Sequence, residues 1–229
     1  MNWDIIYSNL PMFLKGTMTT LVLVSSSVVA SFLLSMCLAP LRASPSRLLA
    51  WPVAVYTMVM RGTPLLVQLF LVYYGLSQFE WVRNSILWPW FSNATFCALF
   101  TFILNSTGYS TEIFAGGLRA APHQEIEAAQ SFGMGRWLIY RRILLPAVLR
   151  NSLSQYSNEV IMLLQATSVA STVTLLDITG VAHYVSMNYY ISFEPYVTAG
   201  AIYLVLSIVL TRMFRRLERR WMRHLATQI

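Results

Sequence analysis

A chain of 229 residues with a net charge of +7 carries 56% hydrophobic and only 11% charged residues, less than half of the roughly 25% with which a soluble domain keeps its exterior wet. Mean hydropathy is +0.56, and several nearly uncharged stretches reach about 20 residues, enough for a helix to cross a bilayer. These values exclude a soluble globular domain and point to an all-α integral membrane protein. Cys37 and Cys97 sit in apolar runs with no metal spacing and no disulfide framework, and read as small buried hydrophobes. The opening "MNWDIIYSNLPMFLK" has no basic n-region and leads into an apolar stretch longer than an h-region, so no cleaved signal is expected.

Taken in chain order, a first span is expected over 16–41, where Ser27, Ser31 and Ser35 repeat every four residues as a ridge for close helix approach. The apolar region 48–77 is too long for one straight helix, and "RGTP" (61–64) interrupts it. Proline cannot continue a helix interior and turns the preceding residue away from helical geometry. This predicts a short helix over 48–60 at or under the membrane surface, then a second span over 64–77 with Pro64 in its first turn. Further spans are expected over 92–118, 145–167 and 195–213. The whole reads as one transmembrane domain, 1–229, with five helices and termini on opposite sides.

Charge sets the orientation. With the C-terminus in the cytoplasm, fourteen of the sixteen cations lie inside: Arg42, Arg47, Arg61, Arg119, Arg136, Arg141, Arg142, Arg150 and the tail cluster from Arg212 to Arg223. Only Lys15 and Arg83 lie outside, which by the positive-inside rule puts the N-terminus outside. The arginines are then topology signals and lipid-headgroup contacts rather than a nucleic-acid surface. Trp81, Trp88 and Trp90 in the outer loop and Trp137 and Trp221 at the inner surface fit interfacial positions.

The inner loop 119–144 holds most of the polar chemistry. Pro122 ends the preceding element, "HQEIEAAQSF" has an acidic first turn suited to a helix dipole, and Gly133 is a left-handed stop. "RWLIYRRILLP" then returns to the membrane. Ala128 and Ala129 offer a flat face and Glu127 a charge for an arginine on a partner. A solvated, salt-bridged connector would look similar. Spacing separates the two: Glu127-Ala128-Ala129, Gly133 after three residues, and Ile143-Leu144-Leu145-Pro146 after nine more resemble the EAA loop of ABC importer permeases. "RGTPLLVQLFLVYYGL" (61–76), "YSTEIFAGGLRAAPHQEIEAA" (109–129) and "YSNEVIMLLQATSVA" (156–170) are similar to the polar amino acid permeases, HisM-type subunits of histidine, lysine, arginine and ornithine importers among them.

The resemblance implies the type I ABC importer permease fold and a bacterial inner-membrane location. It implies a second homologous permease subunit in a heterodimer, two ABC ATPases and an extracytoplasmic substrate-binding protein. It makes 125–136 the coupling helix, with Glu125, Glu127, Ala128, Ala129 and Gly133 facing the ATPase. No G-x-x-x-x-G-K-[ST] phosphate loop is present, so this chain is no enzyme and needs no cofactor of its own; ATP and magnesium belong to the partner.

Ionisable groups at membrane depth mark substrate paths, because a carboxylate at a helix centre costs roughly 2.5–3.5 kcal/mol unless it faces a cavity or partner. Glu159 lies thirteen residues past Pro146, about 20 Å along a helix. It adjoins a polar stripe of Asn151, Ser154, Asn158 and Gln165, which serves either interhelical hydrogen bonds or the path. Asn105 is a second mid-span candidate. Glu112, seven residues before Arg119, either pairs locally or closes a gate. Acidic groups with no basic side chain at that depth indicate a cationic or zwitterionic substrate. Relatives carry Lys-Asp before Thr-Ser-Leu where this chain has Gln165-Ala166 before Thr167 and Ser168, which the resemblance places on the path and which agrees with a positive ligand. The 169–194 connection is expected to face outward as an outer gate or binding-protein dock. An ion-coupled secondary carrier relaying protons through Glu159 and Glu112 is the competing reading, although such carriers show inverted repeats and this sequence shows none.

Overall fold

The computed structural model describes residues 3–121 and 123–222, and within these every regular element is helical. Pro122 and Arg223 lie outside the described residues. Helix α1 runs Trp3–Arg42 and α2 runs Arg47–Gly62. Helix α3 (Leu65–Phe70) continues through a π turn (Leu71–Gly75) and a 3-10 turn (Leu76–Gln78). Two short pieces follow, α4 (Glu80–Arg83) and α5 (Trp88–Phe91), then the long α6 (Ala94–Arg119). Helices α7 (His123–Ser131) and α8 (Arg136–Ile139) form the polar insertion. A π turn (Tyr140–Leu144), α9 (Leu145–Ala166) and a 3-10 segment (Thr167–Val173) continue α8, and α10 (Ile178–Tyr189) and α11 (Phe193–Met222) complete the fold.

Helix α6 is the hub, packed against α1, α2 and α9. Asn93 caps its start, accepting from the Thr95 amide at 2.8 Å and the Phe96 amide at 3.3 Å. Its contact with α1 is the most extensive in the molecule, and the serine ridge explains why: Ser27, Ser31 and Ser35 are fully buried. Two of these hydroxyls turn back to their own helix, Ser31 to the Val28 carbonyl and Ser35 to the Phe32 carbonyl, so the ridge stays slim without stranding those donors. Gly117 does the same for the α6–α9 crossing, since a Cβ there would press on the Ser152 hydroxyl and come within 3.3 Å of Val148.

Several boundaries differ from the sequence expectations. Helix α1 begins at Trp3 rather than near Gly16, because Ile6 and Phe13 join a core with Ile178, Val181 and Val185 of α10. Its 40 residues extend about 60 Å, more than a hydrocarbon core of about 30 Å. Helix α2 packs on the bundle through Val53 and Thr57, which are buried, and leaves Leu48, Trp51 and Met58 exposed. The 169–194 connection contains α10, and Asp177 at the head of that helix is fully buried as the N-cap, accepting from the Gly180 amide at 2.8 Å and from Tyr203 Oη at 3.1 Å. Helices Trp3–Arg42 and Phe193–Trp221 are each long and apolar enough to cross a bilayer. Arg47–Gly62 with Leu65–Gln78, and Arg136–Val173 with Ile178–Tyr189, reach that standard as bent pairs. Helix α6 does not reach it on hydropathy, since its second half carries Asn105, Ser106, Thr107, Ser110 and Thr111, all buried within the bundle.

Candidate functional site

The break between α2 and α3 positions the membrane-depth chemistry. Thr63 is extended (φ −112°, ψ 143°) ahead of Pro64, and the helix axis turns through 103°. Such a break frees backbone acceptors at the end of α2, and amide side chains satisfy them. The Met60 carbonyl accepts from Asn105 Nδ2 and from Gln68 Nε2, each at 2.9 Å. Gln68 Nε2 also donates to Thr63 Oγ1 at 2.6 Å, and Asn105 Nδ2 reaches Gln68 Oε1 at 3.1 Å. Tyr109 Oη donates to the Arg61 carbonyl at 3.3 Å. Gly108 permits this approach, for a Cβ there would stand 2.9 Å from Met60 Cβ.

A cleft of about 320 Å³ opens beside the break, lined among others by Arg61, Thr63, Asn105, Tyr109, Glu159 and Met162. Glu159 comes from α9 and is only 7% exposed, with Ser106 of α6 beside it. Arg61 stands over the Tyr109 ring, its guanidinium carbon 5.4 Å from the centroid. Arg61 and Glu159 line the same cleft yet form no ion pair with each other.

This arrangement brings Asn105 and Glu159 together and separates the other candidates from them. Glu112 is held by Arg42 Nε and Thr57 Oγ1, both at 2.6 Å, and so ties α6 to α1 and α2. Arg119 reinforces the same corner by donating to the Arg42 carbonyl at 3.1 Å. Thr167 is buried, its hydroxyl donating to the Leu164 carbonyl at 2.6 Å, and Ser168 lies in the same 3-10 segment; neither lines the cleft. Asn158 is exposed with Asn151, Ser154 and Gln165, so the polar stripe of α9 is a face left uncovered by the described residues.

The polar insertion ends as the glycine suggested. Gly133 has φ +76°, its amide donates to the Gln130 carbonyl at 2.9 Å, and the Met134 amide reaches back to the Ala129 carbonyl at 3.0 Å. This pair of bonds is a Schellman motif, which satisfies carbonyls that the end of α7 would otherwise leave open. Glu125, Glu127 and Ala128 are exposed, whereas Ala129 turns inward at 6% exposure. The apolar member of the open face is instead Phe132, 88% exposed.

Two contributors escaped the sequence reading. Arg61 appeared only as an inward-side cation, so the expectation of no basic side chain near Glu159 is corrected. The signal was its place in the last turn of α2, just before the Thr63–Pro64 break. Gln68, a lone amide in an apolar run, was the other.

The chain matches the family model described as "binding-protein-dependent transport system inner membrane component" over residues 31–223. It is 43% identical over 205 residues to the octopine transport system permease protein OccM of Rhizobium meliloti, covering 90% of this chain and 84% of that protein. It is 40% identical over 214 residues to the histidine/lysine/arginine/ornithine transport system permease protein HisM of Salmonella typhimurium, covering 93% and 91%. Among solved structures, an amino acid ABC transporter crystallised with histidines superposes with a TM-score of 0.84 at 30% identity, covering 96% of this chain and 99% of the other.

Proposed function

This chain belongs to the binding-protein-dependent transport system inner membrane components, the ABC importer permeases for amino acids, and from that premise we propose that it carries a cationic amino acid or a related compound across the bacterial inner membrane, driven by ATP hydrolysed on separate subunits. The observation that carries the reading is the capped helix α7, which presents Glu127, Ala128 and Phe132 outward between α6 and α9. A nucleotide-driven closure of partner ATPases reaches the membrane only through a rigid docked element, and this one lies in the chain between α6 and α9, two of the helices that line the cleft. ATP and magnesium bind on that partner.

The cations support a topology of five spans with the N-terminus outside and the C-terminus in the cytoplasm. The uncovered polar face of α9 supports pairing with a second, homologous permease subunit, since Asn151, Ser154, Asn158 and Gln165 facing lipid would be costly. The substrate path runs past Asn105 and Glu159, and an extracytoplasmic binding protein delivers to it. The relatives' names, octopine and histidine/lysine/arginine/ornithine permeases, support a ligand with a cationic group.

The test is reconstitution of this chain with its permease, ATPase and binding-protein partners in vesicles. Uptake of arginine, lysine or histidine is expected to need ATP and to survive an uncoupler. Uptake by this chain alone, driven by a proton gradient and abolished by the uncoupler, would replace the proposal with a secondary carrier.

A further inference from the structure

A buried carboxylate near a cation normally closes on it. In this cleft the two stay apart: Glu159 is 7% exposed and forms no ion pair with Arg61, which rests on the Tyr109 ring. The backbone that carries Arg61 is held by other groups. The Arg61 backbone is fixed by Tyr109 Oη, and the end of α2 is fixed by the Asn105 and Gln68 amides on the Met60 carbonyl. The cleft of about 320 Å³ is therefore bounded by one positive and one negative group that form no ion pair with each other. A guanidinium stacked on an aromatic face keeps its N–H edge available, and that edge matches a carboxylate through two parallel hydrogen bonds. Among the described residues no carboxylate takes that edge.

Resting on the reading of this cleft as the substrate path, we infer that Arg61 is its anion-binding end and takes the α-carboxylate of a zwitterionic substrate whose cationic group lies toward Glu159. Arg61 is then a specificity-determining residue: it rejects amines that share the cationic group but lack the carboxylate. A site built to pair a buried or stacked charge discriminates strongly against a ligand that leaves the charge unpaired.

The experiment measures equilibrium binding of L-arginine and of agmatine, its decarboxylated amine, to the purified permease–ATPase complex without the binding protein. Wild type is expected to bind arginine at least tenfold more tightly than agmatine. Arg61→Gln is expected to bring the two within about twofold by weakening arginine while agmatine holds, which also shows that the variant is folded. Arg61→Lys, which keeps charge but loses the fork, is expected to fall between. A ratio unchanged in Arg61→Gln would overturn the inference while leaving the cleft as the path. Binding of neither ligand by wild type, or binding of both undisturbed by Glu159→Gln, would overturn the cleft reading and the inference with it.

Discussion

Gly133 offers the sharpest quantitative handle on coupling. Its φ of +76° is in the left-handed region, and a Cβ built there meets nothing within 4 Å. A side chain therefore meets no wall, and its cost is the backbone conformation alone. For alanine that is roughly 1–2 kcal/mol, which lowers the population of the capped turn about 5- to 30-fold. Asparagine, which tolerates this region, should cost less, and valine more. Proline differs in kind: its φ is fixed near −65°, and it deletes the amide that donates to the Gln130 carbonyl at 2.9 Å, for roughly 3 kcal/mol or more. Docking on the ATPase repays part of each cost, so the ranking matters more than any single value. The assay is uptake and ATP hydrolysis measured side by side in vesicles. Substrate moved per ATP should fall in the order Gly, Asn, Ala, Val, Pro while the protein still inserts and hydrolysis by the partner continues. Native stoichiometry in the valine or proline variant would refute the reasoning, because neither can keep this turn.

Glu159→Gln should raise KM for cationic amino acids at least tenfold with little change in assembly; unaltered uptake kinetics would remove Glu159 from the path. Glu112→Ala frees Arg42 and Thr57, whose bonds at 2.6 Å join three helices. With the Arg42 and Glu112 side chains 24% and 17% exposed, the loss should be about 1–3 kcal/mol, and the Arg42→Ala, Glu112→Ala double variant should unfold at a midpoint well above the additive expectation. Strict additivity would show the pair does not interact. Gly117→Ala presses on the Ser152 hydroxyl and on Val148, a small overpacking of about 1–3 kcal/mol. Ser152→Ala in the same chain should restore the melting temperature, and failure to do so would place the clash elsewhere.

What the sequence revealed and hid follows from the range of the interactions. The Gly133 stop, the break at Pro64 and the serine ridge are local: each depends on residues within a turn or two, and each appears in the structure where the pattern put it. Arg61 beside Glu159, and Asn105 reaching back to Met60, join residues far apart in the chain, and no periodicity encodes them. The start of α1 was hidden for the same reason: residues 3–15 are broken by Asp4, Asn9, Pro11 and Lys15, yet Ile6 and Phe13 pack on α10. Helix α6 looked like an ordinary span, but its polar half is buried by neighbours rather than by lipid. The Glu-Ala-Ala pattern puts Ala128 and Ala129 together on the open face; only the phase of α7 shows that Ala128 faces out and Ala129 faces in.

The account stands most directly on where α7 docks. Ala128, exposed on that helix, can be replaced by cysteine in a background with Cys37 and Cys97 changed to alanine, and the assembled transporter treated with a short bifunctional thiol reagent. The account predicts a cross-link to the nucleotide-binding subunit and protection from impermeant thiol reagents added outside intact cells. Labelling of Ala128→Cys from outside, or a complex in which it reaches no ATPase, would contradict it.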